Sequence, residues 1–221
     1  MTPLESIFNN LLEPFAYLIY TIIFFLKLLT EKNRTQRVLF WFYFFLTILM
    51  TLASILAQNP QWGINNDWMY NIAYLFTFCV LSWFFYILLL SKVKKNFVMM
   101  ALAVNVTIFF IYEIFLHHFV MTYNGYVYAI CYICVVVYSF MYFNQLLSHI
   151  SEKSILSDFN FWLVSAYLFH FLGSFMVILL YRTVDESKAG NVWAVQNIIL
   201  FLSSLITLVG YLQTSARKQY F

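Results

Sequence analysis

The sequence predicts an all-α polytopic integral membrane protein, a single bundle of seven transmembrane helices with the N-terminus outside and the C-terminus in the cytoplasm. Three observations lead there. Of 221 residues, 63% are hydrophobic and 10% charged, with a mean hydropathy of +0.80. Seven stretches approach the roughly 20 apolar residues that cross a bilayer core. Basic residues gather at alternate breaks between them. A soluble domain carries about 25% charged and about 45–50% apolar residues. This chain has too few polar side chains to cover a water-soluble globule, which excludes a soluble enzyme or a DNA-binding module. A net charge of +3 is no nucleic-acid footprint either.

The first span, 14–30, opens at Pro14, where a missing backbone N–H costs nothing at a helix start. Ahead of it, Pro3 to Glu13 is semi-amphipathic and reads as a short interfacial helix. Glu5 and Glu13 stand where a basic n-region would, so no cleaved signal peptide is expected. The second span, 38–57, follows a polar break and stops before Pro60 and Gly63, a turn signal. The third, 69–91, runs into Lys92, Lys94 and Lys95. The fourth, 97–121, holds Glu113, the one unambiguous ionisable group inside a span. Asn124-Gly125 turns the chain into the fifth, 127–147, and short loops lead to the sixth, 161–181, and the seventh, 193–214. Backbone groups in hydrocarbon must be satisfied internally, so each span is expected to be a helix. Leu81 to Leu90 lacks the alternation of a membrane barrel.

Orientation follows from charge. Lys27, Lys32, Arg34 and Arg37, then Lys92, Lys94 and Lys95, then Lys153, then Arg217 and Lys218 lie on one side, which accounts for all but Arg182 and Lys188 of the 12 basic residues. The positive-inside rule makes that side cytoplasmic. Trp62, Trp68 and Trp193 fall at the outer interface and Trp41 and Trp162 at the inner one, where amphipathic rings prefer to sit. All loops are short, the tail after Thr214 is short, and no output module is expected in the chain. A plasma membrane, crossed seven times, is the expected location.

Ionisable groups inside a membrane are functional hypotheses by default. Glu113 in the fourth helix is the clearest, with Asn105 two turns before it and His117 one turn after, all on one broad face. This reads as a protonatable or cation-sensing site in the outer half of the bundle; the plainer alternative is a neutral Glu bonded between helices. In the sixth helix, Tyr167, His170, Ser174 and Tyr181 form a second stripe. Gln196, Ser203, Thr207 and Thr214 form a similar one on the seventh. The two are expected to pack polar face to polar face, with Gly173 and Gly210 permitting close approach. A ligand pocket at His170 and simple interhelical packing both fit this pattern. Asn71, Tyr74 and Thr77 on the third helix and Tyr138, Tyr142, Asn144 and Gln145 on the fifth are weaker signals, because 17 Tyr are spread through the spans.

Cys131 and Cys134 form a CxxC, but a membrane helix without an electropositive neighbour disfavours thiolates, so both read as small core residues, as does Cys79. A metal centre would need Glu113, His117, His118 and His170 to converge, and none is expected. No lysine stands in the seventh helix for a retinal Schiff base, no GxSxG or HExxH occurs, no arginine series marks a voltage sensor, and Asp67, Asp158 and Asp185 sit in loops rather than as an intramembrane pair. No cofactor is expected, and a non-enzymatic role is favoured, with an intramembrane enzyme acting on lipid through Glu113, His117 and His118 as the third reading.

Two segments carry a family resemblance. One is Tyr70 to Lys95, an aromatic third helix ending in basic residues. The other is Asp158 to Leu179, where Phe-Trp is followed by a small residue, a polar aromatic and then Gly-Ser. From Asn71 onward the chain resembles small Bacteroidota-type bacterial seven-helix proteins of unknown function, which are similar to the membrane sensor modules of histidine kinases. That group often has Tyr where this chain has His170. The resemblance implies a bacterial inner-membrane location and association with a membrane signalling protein. The leading expectation is a non-enzymatic sensor or accessory subunit that binds a small or lipidic ligand, or senses membrane state, and signals through helix contacts. The alternative is a small proton-coupled transporter or channel using Glu113 and His170. Lipid, a signalling protein and a second copy of the chain are the expected partners, the last through an exposed stripe such as Phe40, Phe44 and Phe45.

Overall fold

The computed structural model describes residues 3–31, 33–62, 67–112, 125–148, 155–181 and 189–218. Among these the chain is all-helical, with α1 (Pro3–Thr30), α2 (Arg34–Gln58), α3 (Asp67–Leu88), α4 (Lys92–Ile111), α5 (Gly125–Ser148), α6 (Phe159–Tyr181) and α7 (Ala189–Lys218). Two 3-10 turns, Pro60–Trp62 and Ile155–Ser157, lie between helices. Each α-helix contains a segment long and apolar enough to cross a membrane, from Leu11–Thr30 in the first to Asn191–Ser215 in the last. This is the architecture of a multi-pass membrane protein.

Three boundaries differ from the sequence reading. The expected interfacial helix is continuous with the first span, so Pro14 lies inside α1 rather than at its start. Leu4, Ile7, Phe8 and Leu11 continue the helical apolar period, and that pattern outweighs the one ladder bond that proline removes. The third helix ends at Leu88 and the fourth begins at Lys92, so the lysines expected in a loop occupy the first turn of α4. A side chain from α5 makes this short link workable. Gln145 accepts from the Leu90 N–H at 2.7 Å and donates to the Leu88 carbonyl at 3.3 Å. Lys94 Nζ then donates to the Met141 carbonyl at 3.0 Å, and Lys95 lies over the Tyr86 ring. The α6 start is capped by Asp158, whose Oδ1 accepts from the Asn160 N–H at 2.9 Å.

The helices close into a ring in the order α1, α2, α3, α5, α6, α7, with α4 outside it against α3 and α5. Of the described side chains of α4, only Val98 and Asn105 are buried. The ring interior is filled by aromatic rings drawn from a chain with 26 Phe, 17 Tyr and 6 Trp. Tyr20 stacks on Tyr43 at 4.4 Å, Phe24 stacks on the same tyrosine at 5.3 Å, and Phe159 meets Phe24 edge-on. Farther along, Tyr74 stacks on Tyr128 at 3.9 Å. The exterior is equally apolar, with Phe15, Ile22, Trp41, Phe44 and Phe45 exposed and Phe40 half-buried. A bundle that is greasy inside and out has no hydrophobic force between its helices in lipid, so packing and interhelical hydrogen bonds hold it.

Candidate functional site

Glu113, His117 and His118 lie outside the described residues, and so does the Tyr181 side chain. Asn105 is buried, and its amide sits between the two thiols of the CxxC. Nδ2 donates to the Ala101 carbonyl at 2.8 Å and lies 3.5 Å from Cys134 Sγ, while Cys131 Sγ lies 3.9 Å from Oδ1. A void of about 10 Å³ borders Asn105, Tyr74, Tyr128 and Cys131, which is room for about one water. The three cysteines are free thiols. Among the described residues no three His, Cys, Asp or Glu side chains converge as metal ligands.

The stripes on the sixth and seventh helices do meet. Gln196 Nε2 donates to Ser174 Oγ at 2.7 Å, and Ser174 Oγ lies 3.4 Å from His170 Nδ1. Two glycines make this approach possible. A Cβ at Gly173 would come 2.9 Å from Ile199 Cγ2, and one at Gly210 would overlap Trp162 Cβ. Tyr167 turns away from His170 and bonds elsewhere: its hydroxyl accepts from Tyr43 on α2 at 2.7 Å. Ser203 bonds the Tyr20 hydroxyl on α1 at 3.0 Å and donates to the Leu200 carbonyl. Thr21 and Thr47 join α1 to α2 at 2.9 Å. Five of the polar residues singled out on α6 and α7 thus divide between two assemblies. His170, Ser174 and Gln196 form a short α6–α7 relay, and Tyr167 and Ser203 belong to a hydroxyl layer linking α1, α2, α6 and α7.

Two charged groups of α1 were undervalued in the sequence. Glu13 lies within the membrane segment and accepts a hydrogen bond from Tyr70. Lys27, read as a residue at a helix end, is only 4% exposed. Its Nζ lies 3.2 Å from Glu31 Oε1 and 4.1 Å above the Phe159 ring. The spacing of Lys27 and Glu31 was the available signal, since four residues place both on one helix face. Lys27 and Glu31 line a cavity of about 420 Å³ at this end of the bundle, together with Gln36, Phe84, Asp158 and Thr214. Helix ends converge there: the C-terminal ends of α1, α3 and α7 and the first turns of α2 and α6.

Comparisons with protein-family models, with curated proteins and with solved structures find no match to this chain.

Proposed function

We propose that the chain is a non-enzymatic sensor or accessory subunit of a bacterial inner membrane, oriented N-outside and C-inside, which passes helix movements to a membrane signalling protein. The observation that carries this reading is the hydroxyl layer in which Tyr20–Ser203 and Tyr43–Tyr167 tie α1, α2, α6 and α7 together through the bundle centre. Helices joined in this way share their displacements. A ligand or a change in the bilayer that moves one of them at its outer end is felt at the ends of the others. Coupling of this kind needs two discrete arrangements of a packed element, and the observed hydroxyl pairing would be one of the two. The resemblance to membrane sensor modules points the same way, and the reading asks for no cofactor.

The test is gentle extraction from native membranes followed by mass spectrometry of everything that copurifies. A stoichiometric kinase or other large signalling protein is expected, with copurification reduced by substitutions at the Lys27 end of the bundle. A chain that emerges alone or only with copies of itself overturns the reading. Glu13, a carboxyl inside a membrane segment among tyrosines, favours a second reading: a proton-coupled transporter or channel, with Glu13 joining the Glu113 and His170 of the sequence expectation. Liposome flux abolished by Glu13→Gln supports that reading, and unchanged flux removes Glu13 from it.

A further inference from the structure

The cavity around Lys27 has the size and the buried polar wall that a binding site needs. Its volume of about 420 Å³ falls in the range of small-molecule pockets, roughly 300–1,000 Å³. Two of its wall residues are buried polar side chains on different helices. Lys27 is 4% exposed and Gln36 is 8% exposed, and Gln36 Oε1 has no hydrogen-bond partner. A buried acceptor left without a donor is costly, and native structures keep few of them. This one lies in the wall of a void large enough to bring it a donor.

The charges around the cavity select the kind of molecule. The Lys27 ammonium is already answered by Glu31 and by the face of Phe159. Asp158 is not answered by a cation among the described residues: its Oδ2 accepts from the Tyr142 hydroxyl at 3.1 Å and its Oδ1 from the Asn160 N–H, both neutral donors. Three C-terminal helix ends, of α1, α3 and α7, face two N-terminal ends, of α2 and α6, so the helix termini add no net positive field. The described wall therefore carries one uncompensated negative charge, at Asp158, and one unfilled acceptor, at Gln36.

We propose that the cavity binds a small organic cation bearing N–H groups, a primary ammonium of the kind carried by amino compounds and polyamines. The ammonium meets Gln36 Oε1 and the Asp158 carboxylate, while the carbon skeleton lies along Phe84, Ile87 and Leu88. Binding of this kind holds whether or not the chain has a signalling partner.

Purified full-length protein in a neutral detergent is heated with putrescine, tetramethylammonium or inorganic phosphate, and Tm is recorded against concentration. A ligand at free concentration L that binds the folded form stabilises it by RT ln(1 + L/Kd), so Tm climbs with the logarithm of concentration once Kd is exceeded. Putrescine is expected to raise Tm in this way, and tetramethylammonium, a cation without N–H, is expected to need at least about tenfold more for the same shift. Phosphate is expected to have no effect. Gln36→Leu removes the unpartnered acceptor, so it should keep the ligand-free Tm and lose the putrescine shift. Asp158→Asn keeps an oxygen to cap α6 and should weaken putrescine about tenfold. A shift with phosphate, equal shifts with both cations, no shift with putrescine, or a full shift in a folded Gln36→Leu protein each overturns the proposal.

Discussion

The Tyr43 hydroxyl donates to the Tyr167 hydroxyl across 2.7 Å, joining α2 to α6, two helices whose backbones are not neighbours in the ring. Stacking sets the position of the donor, since the Tyr43 ring is held between Tyr20 and Phe24. An interhelical hydrogen bond in a membrane contributes about 0.6–2 kcal/mol. Tyr43→Phe should therefore destabilise the bundle by about that amount, with the aromatic stack intact. A double-mutant cycle with Tyr167→Phe, read by denaturant unfolding in micelles, should return a coupling of the same size. A coupling near zero would show that the two rings are held by packing alone.

The two glycines at the α6–α7 interface are not equivalent. At Gly173 an added methyl meets only side-chain atoms of Ile199 beyond its Cβ, Cγ2 at 2.9 Å and Cδ1 at 3.0 Å, so a side-chain shift of a few tenths of an ångström relieves it. At Gly210 it meets Trp162 Cβ, an atom fixed to the α6 backbone, so the helices themselves must part. Overpacking costs about 1–3 kcal/mol. Gly210→Ala should fall at or above the top of that range and Gly173→Ala at its lower end, measured as loss of folded protein on heating in detergent. The reverse order would mean that α7 is not seated on Trp162.

Ser174 occupies the middle of the α6–α7 relay, accepting from Gln196 and lying against His170. Ser174→Ala takes the acceptor from Gln196, whose Oε1 is already without a partner, and strands the whole amide. Leaving a buried polar group unsatisfied costs about 1–3 kcal/mol. Gln196→Leu removes the amide instead and should be milder, because the buried orphan oxygen goes with it. Unfolding free energies of the two variants decide the point; a Gln196→Leu variant as damaged as Ser174→Ala would show that packing volume dominates there.

The spans and the α6–α7 interface were legible because they rest on one-dimensional properties: apolar run length, helical spacing of small and polar residues, and charge at the breaks. Gly173, Ser174 and Gln196 met as their spacings implied. The partner of Tyr167 was not legible, because a hydroxyl reaching across the bundle to Tyr43 depends on which helices face each other. The ring order, with α4 displaced outside α3 and α5, carries no local signature. Lys27 was misjudged for a related reason. A lysine in the last turn of a membrane helix ordinarily reaches water along its stem, but here Phe159 from α6 covers it. The cavity escaped altogether, since its wall is assembled from the ends of elements far apart in sequence.

The charge distribution makes a last prediction about topology. Ten of the 12 basic residues fall on the Lys27 side of the spans, and crossing a membrane with such a cluster is the costly alternative that the positive-inside rule records. Two exposed positions at opposite ends test this. Gln61 lies in the turn after α2, and Ser91 lies in the link between α3 and α4, beside Lys92. In a background with Cys79, Cys131 and Cys134 replaced by alanine, Gln61→Cys should react with a membrane-impermeant maleimide added to intact cells. Ser91→Cys should react only after the membrane is opened. Labelling of Ser91→Cys alone from outside would invert the bundle and place the Lys27 cavity on the extracytoplasmic face, where its ligand would be drawn from outside the cell.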